Sequence, residues 1–245
     1  MSRSGRLATN TIGRIVAAGA VAATLSIGGA ARAAPPAFED TMAQRVLACT
    51  GCHGAQGRAA ADGYYPRIAG KPAGYLANQL LNFRDGRRQY ALMNGLVAPL
   101  DAAYLAEIAA HFASLELPYP PPTPGAALTE EQRVLAEHLV REGDASRHVP
   151  ACTACHGSAM TGTAPFVPGL LGLPRDYLNA QLGAWRTGKR QAQSPDCMAQ
   201  VALALAPDEI GAVAAWLAAQ PVPAGARPAP AFEVKSPLPC GGVAP

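Results

Sequence analysis

Aromatic residues make up only 6% of the 245-residue chain, and with the β-branched residues they form few clusters, so strand-rich architectures lack their usual material. Abundant alanine favours helix instead. No apolar/polar alternation reaches a useful strand length, and no strand–helix–strand pattern suggests a thioredoxin-like unit. Clustered basic charge is missing too. Residues 1–33 hold four of the 20 basic residues and none of the 17 acidic ones, so the remainder carries 16 against 17. A net charge near −1 gives no phosphate-binding footprint and excludes nucleic acid as a partner class. Nor does any apolar run comfortably span a bilayer: Ile15 to Ile27 is too short.

That run fits a leader. Arg3, Arg6 and Arg14 precede it, and Ala31, Arg32 and Ala33 follow as a small-x-small cleavage pattern. Residues 1–33 are therefore expected to be a secretory signal peptide, the other reading being an uncleaved N-terminal anchor. Both place the folded part outside the cytoplasm, in the periplasm.

What remains is one unit written twice. CTGCH at 49–53 recurs as CTACH at 152–156, each followed by glycine. At an offset of 102, Pro66, Gly70, Pro72, Tyr75, Leu76, Gln79, Arg84 and Arg88 return as Pro168, Gly172, Pro174, Tyr177, Leu178, Gln181, Arg186 and Arg190, and Phe83 returns as Trp185. Leu105, Ile108, Ala109 and Phe112, and in the second copy Ile210, Val213, Ala214 and Leu217, follow the stripe of a helix with one buried face. Further helices are predicted over about 38–49, 72–84, 129–141 and 174–186. The expectation is an all-α chain of two tandem domains, 34–117 and 129–220. Residues 118–128, rich in proline, would be a stiff spacer, and the proline-rich tail 221–245 would drape over the surface. A unit of roughly 85 residues is marginal on its own core, which leaves room for a large apolar cofactor.

The CxxCH motifs name that cofactor. Cysteines three apart on a helical turn face the same way, so both thiols can add to the two vinyl groups along one porphyrin edge, with the next residue beneath the iron. Cys49 and Cys52 are then attachment points for one haem c and Cys152 and Cys155 for another, with His53 and His156 as proximal iron ligands. The pairs could instead build a four-thiolate zinc site or redox dithiols. The histidine after each pair, and their separation into different repeats, favour haem. A sixth ligand must wrap to the opposite face, which needs tens of residues. Met93, 40 after His53, and Met198, 42 after His156, occupy equivalent repeat positions in what reads as a loop ahead of each final helix. Met160 and Met42 are badly placed and read as packing residues. His111, His138 and His148 have no repeat partner and read as surface or helix histidines. With both axial positions taken, electron transfer is expected rather than catalysis.

Over residues 40–220 the sequence resembles the dihaem cytochrome c4 family, built from two class I cytochrome c domains. GYYPRIAG with YLANQLLNFRDGRR, and PFVPGLLG with YLNAQLGAWRTGKR, are the most specific stretches. The resemblance implies two packed domains with neighbouring haems and a shuttle from membrane respiratory complexes toward an oxidase. It also implies that the carbonyls of Pro66 and Pro168 orient the histidines, with Tyr75, Tyr177, Arg84 and Arg186 as weaker candidates for lining the haem edges.

Cys197 and Cys240 depart from that pattern. In an oxidising compartment they are expected to pair, pinning the tail against the second distal segment. Cys197 could otherwise replace Met198 on iron, as in related dihaem thiosulfate-oxidising enzymes. Three functions follow: a soluble carrier between redox partner proteins, an electron-accepting cytochrome subunit of a periplasmic dehydrogenase of the flavocytochrome type, or an enzyme acting on sulfur oxyanions. Contact with a membrane would come only through such partners.

Overall fold

The computed structural model describes residues 39–60, 62–122, 128–231 and 236–243; the expected leader lies outside them. Among the described residues ten α-helices carry the fold. The first five are α1 (Met42–Arg45), α2 (Leu47–His53), α3 (Ala73–Arg84), α4 (Ala91–Val97) and α5 (Ala102–Ala113). The second five are α6 (Glu130–Arg141), α7 (Cys152–His156), α8 (Arg175–Arg186), α9 (Cys197–Ala204) and α10 (Pro207–Ala219). Strand structure in these residues amounts to two short antiparallel pairs, Gly143–Asp144 with Val149–Pro150 and Gly162–Thr163 with Val167–Pro168. None of the described helices is long and apolar enough to cross a membrane by itself.

Each half has its own core. In the first, α3 packs on α5 and buries Leu76 and Phe83 against Leu105, Ile108 and Phe112. In the second, α6 and α8 both pack on α10, joining Leu139, Val140 and Leu178 to Ile210, Val213, Trp216 and Leu217. Burying each of these large side chains contributes roughly 1.5–3 kcal/mol. The repeated apolar stripe thus faces inward in both copies. Helix α10 exceeds the expectation of one buried face, since Ala212, Ala215 and Ala218 are buried as well. It lies between α6 and α8, and alanine lets both approach closely.

Local chemistry sets the helix ends. Thr129 and Gln132 form a reciprocal capping box at the start of α6, with each backbone N–H donating to the other's side chain at 3.2 and 3.0 Å. Asp101 caps α5 by accepting from Tyr104 N at 2.8 Å, and Asp196 caps α9 by accepting from Ala199 N at 3.0 Å.

Three expectations need correction. Met93 and Met198 lie not in loops but in the first turns of α4 and α9. Side-chain acceptors stabilise both turns: Tyr90 N donates to Asn94 at 2.7 Å, and Ala192 N, at the equivalent repeat position, donates to Asp196 at 2.7 Å. The proline-rich link does not hold the halves apart. The buried Arg67 guanidinium donates to the carbonyls of Leu117 and Pro118 at 2.6 and 2.9 Å and stacks on Tyr119. Tyr119 in turn packs so closely on Gly172 of the second half that a Cβ there would lie 2.5 Å from its ring. Finally, the tail does more than drape. Val222 packs on the second core, and Ala229 exchanges 2.8 Å backbone hydrogen bonds with Gly162 and Ala164.

The two domains meet directly. Tyr75 N donates to Pro165 O at 3.0 Å, and Gly74 admits the Phe166 ring where a Cβ would stand 2.5 Å from it. Lys71, buried in the first domain, donates to Gly169 O of the second at 2.8 Å.

Candidate functional site

A cavity of about 630 Å³ extends through both domains. Helix α2 presents Cys49, Cys52 and His53 to it, and helix α7 presents Cys152, Cys155 and His156. Met93 and Met198 line the same cavity from α4 and α9. The eight residues singled out from the two repeats are thus brought together.

Both histidines are buried, at 9% and 6% exposure. His53 Nδ1 lies 2.8 Å from Pro66 O, and His156 Nδ1 lies 2.7 Å from Pro168 O. A carbonyl can only accept, so Nδ1 carries the proton and Nε2 keeps a free lone pair. Burial also pulls the proton affinity of both imidazoles below its ordinary value, ahead of the opposing effect of the carbonyl. A neutral ring with fixed tautomer is what metal ligation requires.

The four motif cysteines are free and half-buried. Burial raises the thiol pKa of Cys49 and Cys155 and pushes Cys152 up to about 11. Zinc needs thiolates, and among the described residues no three of His, Cys, Asp and Glu converge as a metal cluster. Neutral thiols at the rim of an apolar cavity instead suit thioether attachment.

A crossed polar network joins the domains beside the cavity. Arg88 donates to Gln79 at 2.9 Å, to Gln181 at 2.6 Å and to the Tyr177 hydroxyl at 3.2 Å. Arg190 mirrors it, donating to Gln181 at 2.9 Å, Gln79 at 3.0 Å and the Tyr75 hydroxyl at 3.4 Å. Each guanidinium also stacks on the aromatic ring of its own domain, Phe83 at 4.5 Å and Trp185 at 3.8 Å. Burial, then the charge of Arg88, lowers the pKa of Arg190. No carboxylate pairs with either cation among the described residues. Buried, uncompensated positive charge on the cavity wall complements the carboxylate-bearing edge of a haem, so the chemistry of the site fits the group.

Of the secondary candidates, Tyr75 and Tyr177 line the cavity. Arg84 pairs with Asp85 at 3.0 Å instead, and Arg186 caps α9 by donating to the carbonyls of Ala202 and Leu205 at 3.0 and 2.6 Å. Their positions on the outer side of α3 and α8 explain the difference. The sequence reading gave Gln79, Gln181, Arg88, Arg190 and Lys71 no role, although the first four recur at the offset of 102. Cys197 is joined to Cys240 in a disulfide, and its sulfur is therefore not offered to iron.

Fold and cavity define a class of protein, the c-type cytochromes that carry two haem domains in one chain. No family model matches the sequence. It is 39% identical over 192 residues to the thiosulfate dehydrogenase electron acceptor of Thiomonas intermedia, covering 77% of this chain and 86% of that one. It is 33% identical over 197 residues to cytochrome c4 of Pseudomonas aeruginosa, covering 79% and 93%. The crystal structure of reduced recombinant cytochrome c4 from Pseudomonas stutzeri superposes with a TM-score of 0.61 at 28% identity, over 73% of this chain and 96% of that one. The chain belongs to the dihaem cytochrome c4 family. It is an all-α, two-domain electron carrier with two covalently attached haem c groups.

Proposed function

We propose that the chain is a periplasmic carrier that takes single electrons from a thiosulfate dehydrogenase and delivers them to a second redox protein, such as a membrane respiratory complex or oxidase. One observation carries the reading: in each repeat a neutral histidine anchored at Nδ1 and a methionine from a separate helix line the shared cavity. Cys49 and Cys52 would then hold the first haem, with His53 and Met93 as its iron ligands. Cys152 and Cys155 would hold the second, with His156 and Met198. When bound, each haem supplies a one-electron couple whose potential a thioether ligand raises.

The chain's own residues do the rest. Pro66 and Pro168 hold the imidazoles in one tautomer. Arg88 and Arg190 offset negative charge where the domains meet. With a histidine and a methionine of this chain both available to each iron, a sulfur oxyanion would find no open position there, and the chain would not itself be the oxidising enzyme. The name of the Thiomonas relative supports the choice of donor, and the leader-like residues 1–33 support export.

The test mixes oxidised mature holoprotein with thiosulfate and a catalytic amount of thiosulfate dehydrogenase. Both haems should be reduced to completion, and omission of the dehydrogenase should abolish turnover. Turnover of thiosulfate by the cytochrome alone would make it the enzyme. Failure of the dehydrogenase to reduce it would remove the proposed donor.

A further inference from the structure

The segment after residue 235 is held at three points and lines the cavity at a fourth. Ser236 lines the cavity together with Cys155, and Cys240 is bonded to Cys197, the neighbour of Met198. Gly241 N donates to Pro195 O at 2.8 Å, and Gly242 O accepts from Asn78 Nδ2 of α3, in the first domain, at 2.8 Å. A Cβ on Gly241 would stand 2.2 Å from Ser194 O, so only glycine permits this approach. Between Ser236 and Cys240 the chain alternates. Ser236, Leu238 and Cys240 line the cavity, whereas Pro237 and Pro239 face solvent. The backbone bends at Pro237 and Leu238, where the Ser236 hydroxyl donates to Leu238 O at 2.8 Å, and the two prolines are left on the outer side.

Ser236 and Cys240 share the cavity with Cys155, His156 and Met198 of the second site. Cys155 belongs to the motif that carries the proximal histidine, and Cys197 adjoins the distal methionine. A chain segment running from one to the other crosses the edge of any ring held between them. We infer that residues 236–243 form a strap across the thioether edge of the second haem, closing it to protein partners and leaving the first haem as the port for electron exchange.

Among the described residues the first repeat has no equivalent. The chain that follows its last helix turns to Arg67 and Gly172. The buckle does not create its own seat, because Asp196 fixes the start of α9 through Trp185, Ala192 and Ala199. Loss of the disulfide therefore removes the covalent hold on the strap, leaving two hydrogen bonds, while α9 stays in place. The inference rests on the ligand assignment proposed above for the second domain.

The test measures broadening of haem methyl resonances by a soluble, neutral gadolinium chelate in the ferrous full-length holoprotein, with the haems assigned through contacts to Phe83 and Trp185. First-haem methyls should broaden several-fold more than second-haem methyls. In Cys240→Ser, and in a chain ended after Ala231, the second set should rise to match the first. Equal broadening in the unaltered protein overturns the strap without needing any variant, as does a second set unchanged by both variants. The sulfur–iron absorption of the same proteins after oxidation separates the two ideas. If it is present at both haems and broadening is equal, only the strap fails; if it is absent at the second haem, the ligand assignment fails and the strap falls with it.

Discussion

Arg88 and Arg190 face each other in a single antiparallel backbone bridge at the domain junction, although both side chains are cations. They are the same position in the two repeats. Gln89 N donates to Lys189 O at 2.7 Å and Gln191 N to Arg87 O at 2.8 Å, so the junction is close to a local two-fold axis. Each guanidinium is tied to both glutamines, which spreads the positive charge over a shared set of acceptors.

Removing Arg190 should leave the Tyr75 hydroxyl without its donor and take from Gln79 and Gln181 one of the two charged donors each of them shares. Arg190→Leu is expected to destabilise the holoprotein by about 2–4 kcal/mol in denaturant titrations. Combined with Arg88→Leu the effect should differ from the sum by more than about 0.5 kcal/mol, because the two share partners. Strict additivity would mean that the crossed network is not coupled.

A cluster at the edge of the second domain responds to acid. Ser146, then Arg147, hold the Asp144 carboxyl down to about 2, against an ordinary 3.8. Arg147 likewise lowers the pKa of Glu209, which it meets at 2.9 Å. A depressed folded pKa contributes stability that is complete above the unfolded value and lost as pH falls through the folded one. Between pH 3.8 and about 2 the unaltered protein should therefore lose stability more steeply than Asp144→Asn. Carboxyl resonances followed by NMR should place the Asp144 midpoint near the lower limit, and Arg147→Gln should move it upward.

The ligand assignment makes a paired prediction. Met93→Ala and Met198→Ala should each remove about half of the sulfur–iron absorption of the oxidised protein and lower the potential of one haem. Met160 provides the contrast: it is buried in the second core, so Met160→Ala should leave that absorption intact while costing about 2–5 kcal/mol of stability. Full absorption in Met198→Ala would require another sixth ligand.

Reduction of the Cys197–Cys240 disulfide opens a loop of 43 residues. The chain-entropy relation puts the loss near 3–4 kcal/mol, read as a lower unfolding midpoint in a thiol reductant. Cys197→Ser in the same reductant should show no further change.

The haem chemistry was legible because it is local. Two cysteines and a histidine within five residues carry their geometry on one helical turn, and the preserved order of the repeat, rather than an exact offset, exposed the methionines. Position within α4 and α9 was not legible. A short helix closed by Asn94 or Asp196 looks like a polar loop until the acceptor is seen to bond back to residue 90 or 192. Arg84 was misread for a related reason: like Arg88 it recurs in both copies, and recurrence does not reveal which side of α3 turns inward.

The sequence by itself determined the helical class, the duplication, the two covalent haems and the cysteines available for pairing, since each depends on spacing along one segment. Only the tertiary structure decided that Arg88 crosses to Gln181 and that Lys71 reaches Gly169. These contacts join residues roughly 80 to 100 positions apart, and no short-range pattern encodes them. They exist because two separately folded cores were brought together and the tail was bonded across the seam.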